Sequence, residues 1–372
     1  MKHSNLSVLF IPIAALALIS GCATSSAIRP LPKPEVIASD IRDADAQVEP
    51  EPHSEVPMEI NEDVQKWIDY FAIKDRVRFE SFLLRGEYYR ETIEAILTEH
   101  QVPRDMYYLA MIESGFMTQA TSHASAVGVW QFIRATGRRY GMRQSAYLDE
   151  RRDVIQATHA AARYLRDLHQ EFGSWYLAMA AYNAGEGRIR RAIRIGRSRD
   201  FWVLVQKRVL PRETKNYVPK FLAAWIIGRK PAKFGFELPE QIESRYPNVE
   251  KATVPGSVHL NEIARVLGLE PNSLAPLNPH LIHGITPPEK TTYDIWVPQG
   301  QAAQLLAPEM PLARVTNPAA LLPVRYRVRT GDTLEAIAKR HRISLASLKR
   351  LNGLDSDRIY RGQSLKVRPS SS

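Results

Sequence analysis

The chain has 372 residues, of which 44% are hydrophobic and 24% are charged. At roughly 100 to 200 residues per domain, this length predicts two or three domains. The near-average composition excludes a largely disordered chain and a polytopic membrane protein. A single cysteine excludes a disulfide framework and a cysteine-rich metal site. The net charge of +10 indicates an anionic partner without separating nucleic acid, membrane and acidic polysaccharide.

The N-terminus has the pattern of a secretory signal peptide over residues 1–21. A basic start at Lys2 precedes an apolar run from Val8 to Ile19. This run is shorter than the ~20 residues of a spanning helix, which disfavours an uncleaved transmembrane anchor. Small residues then lead to Cys22, and the segment resembles the lipobox of bacterial lipoproteins. The resemblance implies a lipid on Cys22 and a place on the periplasmic face of the outer membrane. A chance cysteine beside an ordinary cleavage site is the alternative.

Residues 22–60 are rich in proline and acidic side chains. Between Asp40 and Asp63 there are nine acidic residues and a single arginine, with little apolar periodicity. Like charges repel and proline stiffens the backbone, so this segment is predicted to be an extended, disordered tether. A binding site for a partner is the alternative.

The C-terminal residues 324–369 predict a β-α-α-β module. The order follows from the alternating Tyr326 and Val328, a Gly-Asp turn, two helical stripes ending at Asn352, and a closing strand up to Val367. The segment resembles a LysM domain, which binds glycans that contain N-acetylglucosamine, such as peptidoglycan and chitin. A module that only packs on its neighbour is the alternative.

An internal repeat precedes this module. Sliding the sequence by 74 residues places Val254 on Val328 and Asn278 on Asn352 without a gap, and a closing strand follows after a four-residue insertion. Residues 250–300 are therefore predicted to be a degenerate LysM-like unit. Its Gly-Asp turn is missing, so a spacer role and glycan binding are both open.

The pattern from 61 to 233 is helical throughout. Arg104 to Glu113 is predicted to be one helix, whose uncharged stretch from Met106 ends in Glu113. A carboxylate in this position is expected at the rim of a hydrophobic core, where burial raises its pKa and lets it donate a proton near neutral pH. A helix-terminal glutamate on the solvated face is the alternative.

Four short motifs follow one another in this region. They are Glu113-Ser114, a GVWQF segment ending at Phe132, an AYNAG segment ending at Gly185, and Asn216-Tyr217. Together they resemble the lysozyme-like lytic transglycosylases. With the lipobox and the LysM module they are similar to the membrane-bound lytic murein transglycosylase D family. The resemblance implies a mainly α lysozyme-like catalytic domain of the α+β superfamily, followed by a β-α-α-β LysM module. GVWQF departs from the family's GLMQ pattern but keeps its glycine and glutamine.

By this resemblance the substrate is peptidoglycan, and the reaction splits the β-1,4 bond between N-acetylmuramic acid and N-acetylglucosamine. Most glycosidases use two carboxylates. Here the C6 hydroxyl of muramic acid closes a 1,6-anhydro ring, so that Glu113 alone acts first as acid and then as base. The sequence agrees, because it has no Asp or Glu between Ser114 and Ala146. A hydrolytic muramidase and a non-catalytic peptidoglycan-binding scaffold are the alternatives.

Six residues are predicted to support the acid: Ser114, Ser122, Gln131, Tyr182, Asn183 and Tyr217. The two serine hydroxyls are expected to bond the muramic acid arm, and the Gln131 amide an N-acetyl group or glycan hydroxyl. Tyr182 and Asn183 place an aromatic face and an amide together for a sugar. Tyr217 is expected to bond Glu113 and fix its orientation.

The sequence predicts neither a metal nor a cofactor. Its histidines, such as His159, lack HExxH spacing, and no glycine run matches a phosphate loop. A secretion signal removes nucleic acid as a partner, which leaves the carboxylates of peptidoglycan stem peptides for the basic surface. Glu186 is a rival acid, whereas Asp149, Glu150 and Asp153 are interpreted as helix-start residues.

Overall fold

The structure is a computed structural model that describes residues 56–367, except 241, 243, 245, 247, 307–311 and 323. The predicted signal peptide, Cys22 and most of the predicted tether lie outside the described residues, as do residues 368 and 369 of the predicted LysM domain. None of the helices in the described ranges combines the length and the apolar character that crossing a bilayer requires.

Residues 62–229 form a helical domain. Its helices are α1 Glu62–Asp69, α2 Arg76–Glu87, α3 Arg90–Glu99, α4 Tyr107–Ser114, α5 Arg134–Arg139, α6 Val154–Phe172, α7 Trp175–Ala184, α8 Glu186–Gly196, α9 Phe201–Gln206 and α10 Arg212–Arg229. Short π-helical or 3₁₀ turns lie at Tyr70–Lys74, Arg104–Met106, Glu150–Arg152 and Pro231–Phe234. The predicted helix from Arg104 to Glu113 is therefore a 3₁₀ turn followed by α4. Mostly helical structure confirms the predicted fold class of this region.

Helix α4 lies at the centre of this domain. Residues 107–111 are all buried, and α4 contacts α2, α3 and α10. Gly115 ends the helix with a left-handed φ of 58°, a conformation that glycine adopts without a steric cost. Trp130, Trp175 and Trp225 are at most 5% exposed, so they belong to the core and are not sugar platforms. Each large buried side chain contributes roughly 1.5–3 kcal/mol to the domain.

The unit predicted at 250–300 is a small two-stranded antiparallel sheet with one helix. Strand β1 Val249–Pro255 pairs with β2 Thr292–Pro298, and α11 Leu260–Val266 packs beneath the sheet. The second helix of a LysM fold is replaced by turns over 271–277. Pro276 explains the loss, because proline removes a backbone N–H and clashes with the preceding turn of a helix.

The C-terminal module has the predicted β-α-α-β order. It consists of β3 Arg325–Arg327, α12 Leu334–Arg340, α13 Leu345–Asn352 and β4 Ser364–Lys366, with β3 and β4 antiparallel.

Matching asparagines show that the two C-terminal units are built alike. The Asn278 side chain donates to the Trp296 carbonyl at 2.8 Å and accepts from the Trp296 N–H at 2.8 Å. Asn352 makes the same two bonds to Lys366, at 2.9 and 2.7 Å. Both asparagines therefore bond to the backbone of the closing strand. The 74-residue repeat makes the two asparagines equivalent, and its four-residue insertion makes Trp296 equivalent to Lys366.

Candidate active site

A groove crosses the helical domain beside the end of α4. Two adjoining cavities of about 480 and 1020 Å³ form it. Both are lined by the residues at their junction: Trp67, Ile112, Glu113, Ser122, Gln131 and Lys220. Glu113 therefore lies at the middle of the groove, with space for substrate on either side.

The Glu113 carboxyl group is partly buried and has few polar partners. Burial raises its pKa to about 7, against the opposing effects of a hydrogen bond from Tyr217 and the charge of Lys220. The Tyr217 hydroxyl donates to Glu113 Oε1 at 2.5 Å. A carboxyl group with this pKa is protonated in a large fraction of molecules near neutral pH, and its carboxylate form has a hydrogen-bond donor in place.

Helix α10 supplies the two groups that lower the pKa of Glu113. Tyr217 and Lys220 are three residues apart and so share one face of the helix. Burial raises the pKa of the Tyr217 phenol well above its ordinary value, so this hydroxyl remains a donor. The Lys220 ammonium lies 4.8 Å from the centre of the Trp67 ring. Sequence reasoning missed Lys220, although its i, i+3 spacing from Tyr217 was a usable signal.

Lys220→Met is expected to move the alkaline limb of the pH–rate profile to higher pH. The lysine charge lowers the pKa of Glu113, so its removal raises that pKa and keeps the acid protonated further into the alkaline range. The ratio of variant to wild-type rate should rise severalfold between about pH 6 and pH 8. The check is a pH series of product release, with Lys215→Met on the same helix as control; an unshifted limb in Lys220→Met would contradict the assignment.

Gln131 and Ser122 lie on the segment that forms one wall of the groove. The Gln131 amide donates to the Gly128 carbonyl at 2.9 Å, and its backbone has a left-handed φ of 48°. The Ser122 side chain is exposed and accepts from the Ala126 N–H at 3.1 Å. Both side chains reach the junction of the two cavities, so the structure brings them to Glu113.

Ser114, Tyr182 and Asn183 make hydrogen bonds within the protein. The buried Ser114 hydroxyl donates to the Val129 carbonyl at 2.8 Å and ties α4 to the groove wall. The Tyr182 hydroxyl donates to the Trp130 carbonyl at 2.7 Å. The Asn183 amide oxygen accepts from the Thr214 hydroxyl at 3.0 Å, which joins α7 to α10. Tyr182 and Asn183 also line the larger cavity.

Two further carboxylates line the larger cavity. Glu186 pairs with Arg139 at 3.0 Å, which gives this rival acid a cationic partner. Glu213, one turn before Tyr217, accepts from the Asn183 amide at 3.4 Å and raises the pKa of Glu113 by charge repulsion. Glu213 was not predicted from the sequence, because it lies about 100 residues from Glu113 and outside the four motifs.

A buried arginine supports the groove wall from behind. Arg151 forms a bidentate ion pair with Asp149, with N–O distances of 2.8 and 2.7 Å. Its Nη1 also donates to the carbonyls of Ser125 and Phe132, at 3.0 and 2.9 Å. Gly128 packs so closely that a Cβ there would lie 1.9 Å from the Arg151 carbonyl oxygen, which explains the glycine of GVWQF. The charge run 149–153 therefore supports the groove wall.

The other acids of this run dock the LysM-like unit. Asp153 caps α6 by accepting from the Gln156 N–H at 3.0 Å, as expected of a helix-start residue. Asp153 also accepts from the Trp296 indole N–H at 2.8 Å, while Glu150 accepts from the Tyr293 hydroxyl at 3.1 Å. All four side chains are at most 9% exposed. The LysM-like unit is thus joined to the helical domain through buried polar contacts.

One cluster away from the groove has the residue types of a metal site. Glu99, His100 and His159 place three ligand atoms within 4.8 Å of one another. The two imidazoles share a hydrogen bond of 2.9 Å, and burial lowers the pKa of both. Arg163 adds a nearby positive charge that disfavours a cation. The hydrogen-bonded histidine pair accounts for the cluster, which sequence spacing could not reveal across 59 residues.

Known protein families match three parts of the chain. The transglycosylase SLT domain matches residues 91–205, the LysM domain 326–368, and the LysM-like domain of lytic transglycosylase MltD 248–309. The first match contains Glu113 and the GVWQF and AYNAG motifs. Helical fold, groove and matched domains together define a lysozyme-like transglycosylase catalytic domain with C-terminal LysM modules.

Curated relatives give the family. Membrane-bound lytic murein transglycosylase D of Escherichia coli is 34% identical over 325 residues, which is 84% of this chain and 69% of that protein. The chain therefore belongs to the membrane-bound lytic murein transglycosylase D family. A putative tributyltin chloride resistance protein of an Alteromonas strain is 39% identical over 110 residues, which cover 29% of this chain and 53% of that protein.

Solved structures of lytic transglycosylases align with parts of this chain. Lytic transglycosylase Slt of Pseudomonas aeruginosa aligns at 25% identity with a TM-score of 0.34, covering 39% of this chain and 24% of that one. The 70-kDa soluble lytic transglycosylase of Escherichia coli aligns at 15% identity with a TM-score of 0.35, covering 57% and 45%. The chain spans less than half of either solved chain.

Proposed function

We propose that this protein is a lytic transglycosylase that cleaves peptidoglycan at the β-1,4 bond between N-acetylmuramic acid and N-acetylglucosamine. The observation that carries the proposal is the partly buried Glu113 carboxyl group at the middle of an open groove, with its pKa raised to about 7. Membership of the family supports peptidoglycan as the substrate, and its cleavage would serve remodelling and turnover of the cell wall.

Glu113 performs both proton transfers in this proposal. The protonated carboxyl group donates to the glycosidic oxygen, and the bond between that oxygen and C1 of muramic acid breaks. The C6 hydroxyl oxygen then attacks C1, and its proton passes to the Glu113 carboxylate. The 1,6-anhydro ring closes without water, and Glu113 returns to its protonated form. Tyr217 donates to the carboxylate formed between the two steps, at the distance of 2.5 Å.

The other predicted residues position the substrate or the groove wall. Gln131 and Ser122 face the junction of the cavities and are proposed to bond the sugar ring and its substituents. The Tyr182 ring and the Asn183 amide line the larger cavity and are proposed to contact the neighbouring sugar. Ser114, whose hydroxyl is bonded to Val129, is proposed to fix α4 against the wall.

The products of purified sacculi test the proposal. Digestion by the full chain should release muropeptides with anhydro ends, which borohydride does not reduce and mass spectrometry identifies. Reducible ends would instead indicate a hydrolytic muramidase, in which Glu213 is the available second carboxylate of the groove. If nothing is released, the protein is a non-catalytic peptidoglycan-binding scaffold and the proposal is wrong.

Membrane association is proposed to occur through a lipid on Cys22, at the periplasmic face of the outer membrane. The lipobox-like sequence before Cys22 supports it, together with the membrane-bound relative. Cys22→Ser is expected to move most of the protein from the membrane pellet to the soluble periplasmic fraction, because several acyl chains contribute about 0.8 kcal/mol per buried methylene. Fractionation with immunodetection checks this; an unchanged pellet would contradict it.

A further inference from the structure

The outer face of the C-terminal sheet carries a concentration of positive charge. Side chains alternate along a strand, so Arg325 and Arg327 share one face of β3, while Tyr326 packs against the core of the module. Arg329 follows the strand and lines the same cavity as these two arginines. Lys366 pairs directly with Arg325 and therefore lies on the same face. Arg361 joins the three arginines in lining a cavity of about 880 Å³. We call these five residues the cationic face.

Positive charge on the cationic face is compensated only at Arg329 within the described ranges, where the nearby Asp332 has its pKa lowered by a hydrogen bond from the Arg329 backbone N–H and also by the Arg329 charge. Within the described ranges, none of the five side chains forms an ion pair, whereas the nearby Arg340 lies 3.7 Å from Asp332. Like charges directly opposite each other on neighbouring strands destabilise a sheet, and Arg325 and Lys366 are such a pair. A small module that keeps this arrangement has a surface suited to a ligand with several negative charges.

The first repeat shows this face making a contact. The 74-residue repeat and its four-residue insertion make Lys251 and Trp296 equivalent to Arg325 and Lys366, and Lys251 likewise pairs with Trp296. In that repeat the Trp296 side chain is buried, and its indole N–H donates to the carboxylate of Asp153. The equivalent surface of the second repeat is open and cationic.

We propose that the cationic face binds the carboxylates of peptidoglycan stem peptides, in addition to any contact of the LysM domain with the glycan. The proposal deepens the function proposed above and rests on peptidoglycan being the substrate. The excess positive charge favours an anionic ligand, and peptidoglycan owes its negative charge chiefly to these peptides. The module would then direct the enzyme to strands that still carry peptides.

The test measures binding of the full chain, with Glu113→Gln to prevent cleavage and Cys22→Ser to prevent lipidation. Binding partners are peptide-bearing glycan strands, strands stripped of peptides by an amidase, and phosphatidylglycerol vesicles. The variant replaces three cations of the face: Arg325→Gln, Arg327→Gln and Arg361→Gln. The control removes the same charge from exposed positions on and next to the two helices: Lys339→Gln, Arg342→Gln and Arg350→Gln.

Peptide-bearing strands should bind about tenfold more tightly than stripped strands at low salt, and salt should remove this preference. The face variant should lose the preference and the control should keep it. Thermal melting should show the face variant at least as stable as the control, because it relieves like-charge repulsion. Salt dependence of the unmutated face tests the proposal even if the variant fails to fold.

Three results would overturn the proposal. Equal binding to both kinds of strand would do so, and is the result expected if the acidic segment between Asp40 and Asp63 occupied the face. A preference that survives in the face variant would place the contact elsewhere. If the face variant lost binding to the vesicles but kept its binding to both kinds of strand, lipid headgroups would be the ligand. Because no cleavage is measured, these outcomes are independent of whether the wild-type chain releases anhydro products.

Discussion

Glu113→Gln should reduce the release of anhydro muropeptides by about 10³-fold or more while the protein remains folded. Glutamine preserves the shape of the side chain and can still accept from the Tyr217 hydroxyl, which now donates at 2.5 Å. It cannot donate a proton to the leaving oxygen or accept one from the C6 hydroxyl, so both halves of the proposed reaction fail. Mass spectrometry of digested sacculi measures the loss, and circular dichroism verifies the fold.

Glu213→Gln is the matched control for this experiment. It removes a second carboxylate from the same groove and leaves Glu113 in place. If Glu113 acts alone, this variant makes the same anhydro ends and retains most of the activity at mildly acidic pH, where the lowered pKa of Glu113 still leaves it protonated. More than a tenth of wild-type activity in Glu113→Gln would refute the assignment, and loss of activity only in Glu213→Gln would transfer the catalytic role to that residue.

Arg151→Met should lower the free energy of unfolding by about 3–5 kcal/mol. Removing the guanidinium leaves the buried Asp149 carboxylate without its partner and deprives the carbonyls of Ser125 and Phe132 of a donor. Arg151 and Asp149 are 4% and 8% exposed, so water cannot replace these contacts without opening the structure. Urea denaturation followed by circular dichroism measures the change.

Arg190→Met supplies the comparison for Arg151→Met. Arg190 also forms a bidentate ion pair, with Glu171, but the Arg190 side chain is 62% exposed. Surface ion pairs contribute little to stability, so this variant should unfold close to the wild type. If the two variants lost the same stability, Arg151 would not have the supporting role described above. Arg151→Met should also lower the rate at which anhydro muropeptides are released from sacculi, because the wall that carries Gln131 loses its hydrogen bonds from Arg151.

The sequence was informative where chemistry depends on local pattern. The apolar helix that ends in Glu113 indicated a carboxyl group at the rim of the core, and the four motifs indicated the lysozyme-like domain. The internal repeat was visible because it matches at buried positions such as Val254 and Asn278. Loss of the second helix in the first repeat also has a local cause, at Pro276.

Long-range contacts between charged residues were not predictable in this way. A run such as 149–153 usually marks a solvated helix start, and nothing in its spacing shows that Arg151 reaches two carbonyls of the groove wall. The Tyr293 and Trp296 partners of Glu150 and Asp153 lie 143 residues further along the chain. Lys220 was overlooked because lysines are commonly exposed, although its helical spacing from Tyr217 placed it on the groove.

The matching bonds of Asn278 and Asn352 have an evolutionary consequence. Two units with the same internal hydrogen bonds, related by a 74-residue offset and one four-residue insertion, are the expected outcome of a tandem duplication followed by divergence. The first copy is joined to the helical domain by Trp296 and Tyr293, whose buried partners lie there. Deleting the last module would leave these contacts intact, whereas deleting the preceding one would remove the hydrogen bonds that Glu150 and Asp153 accept from Tyr293 and Trp296.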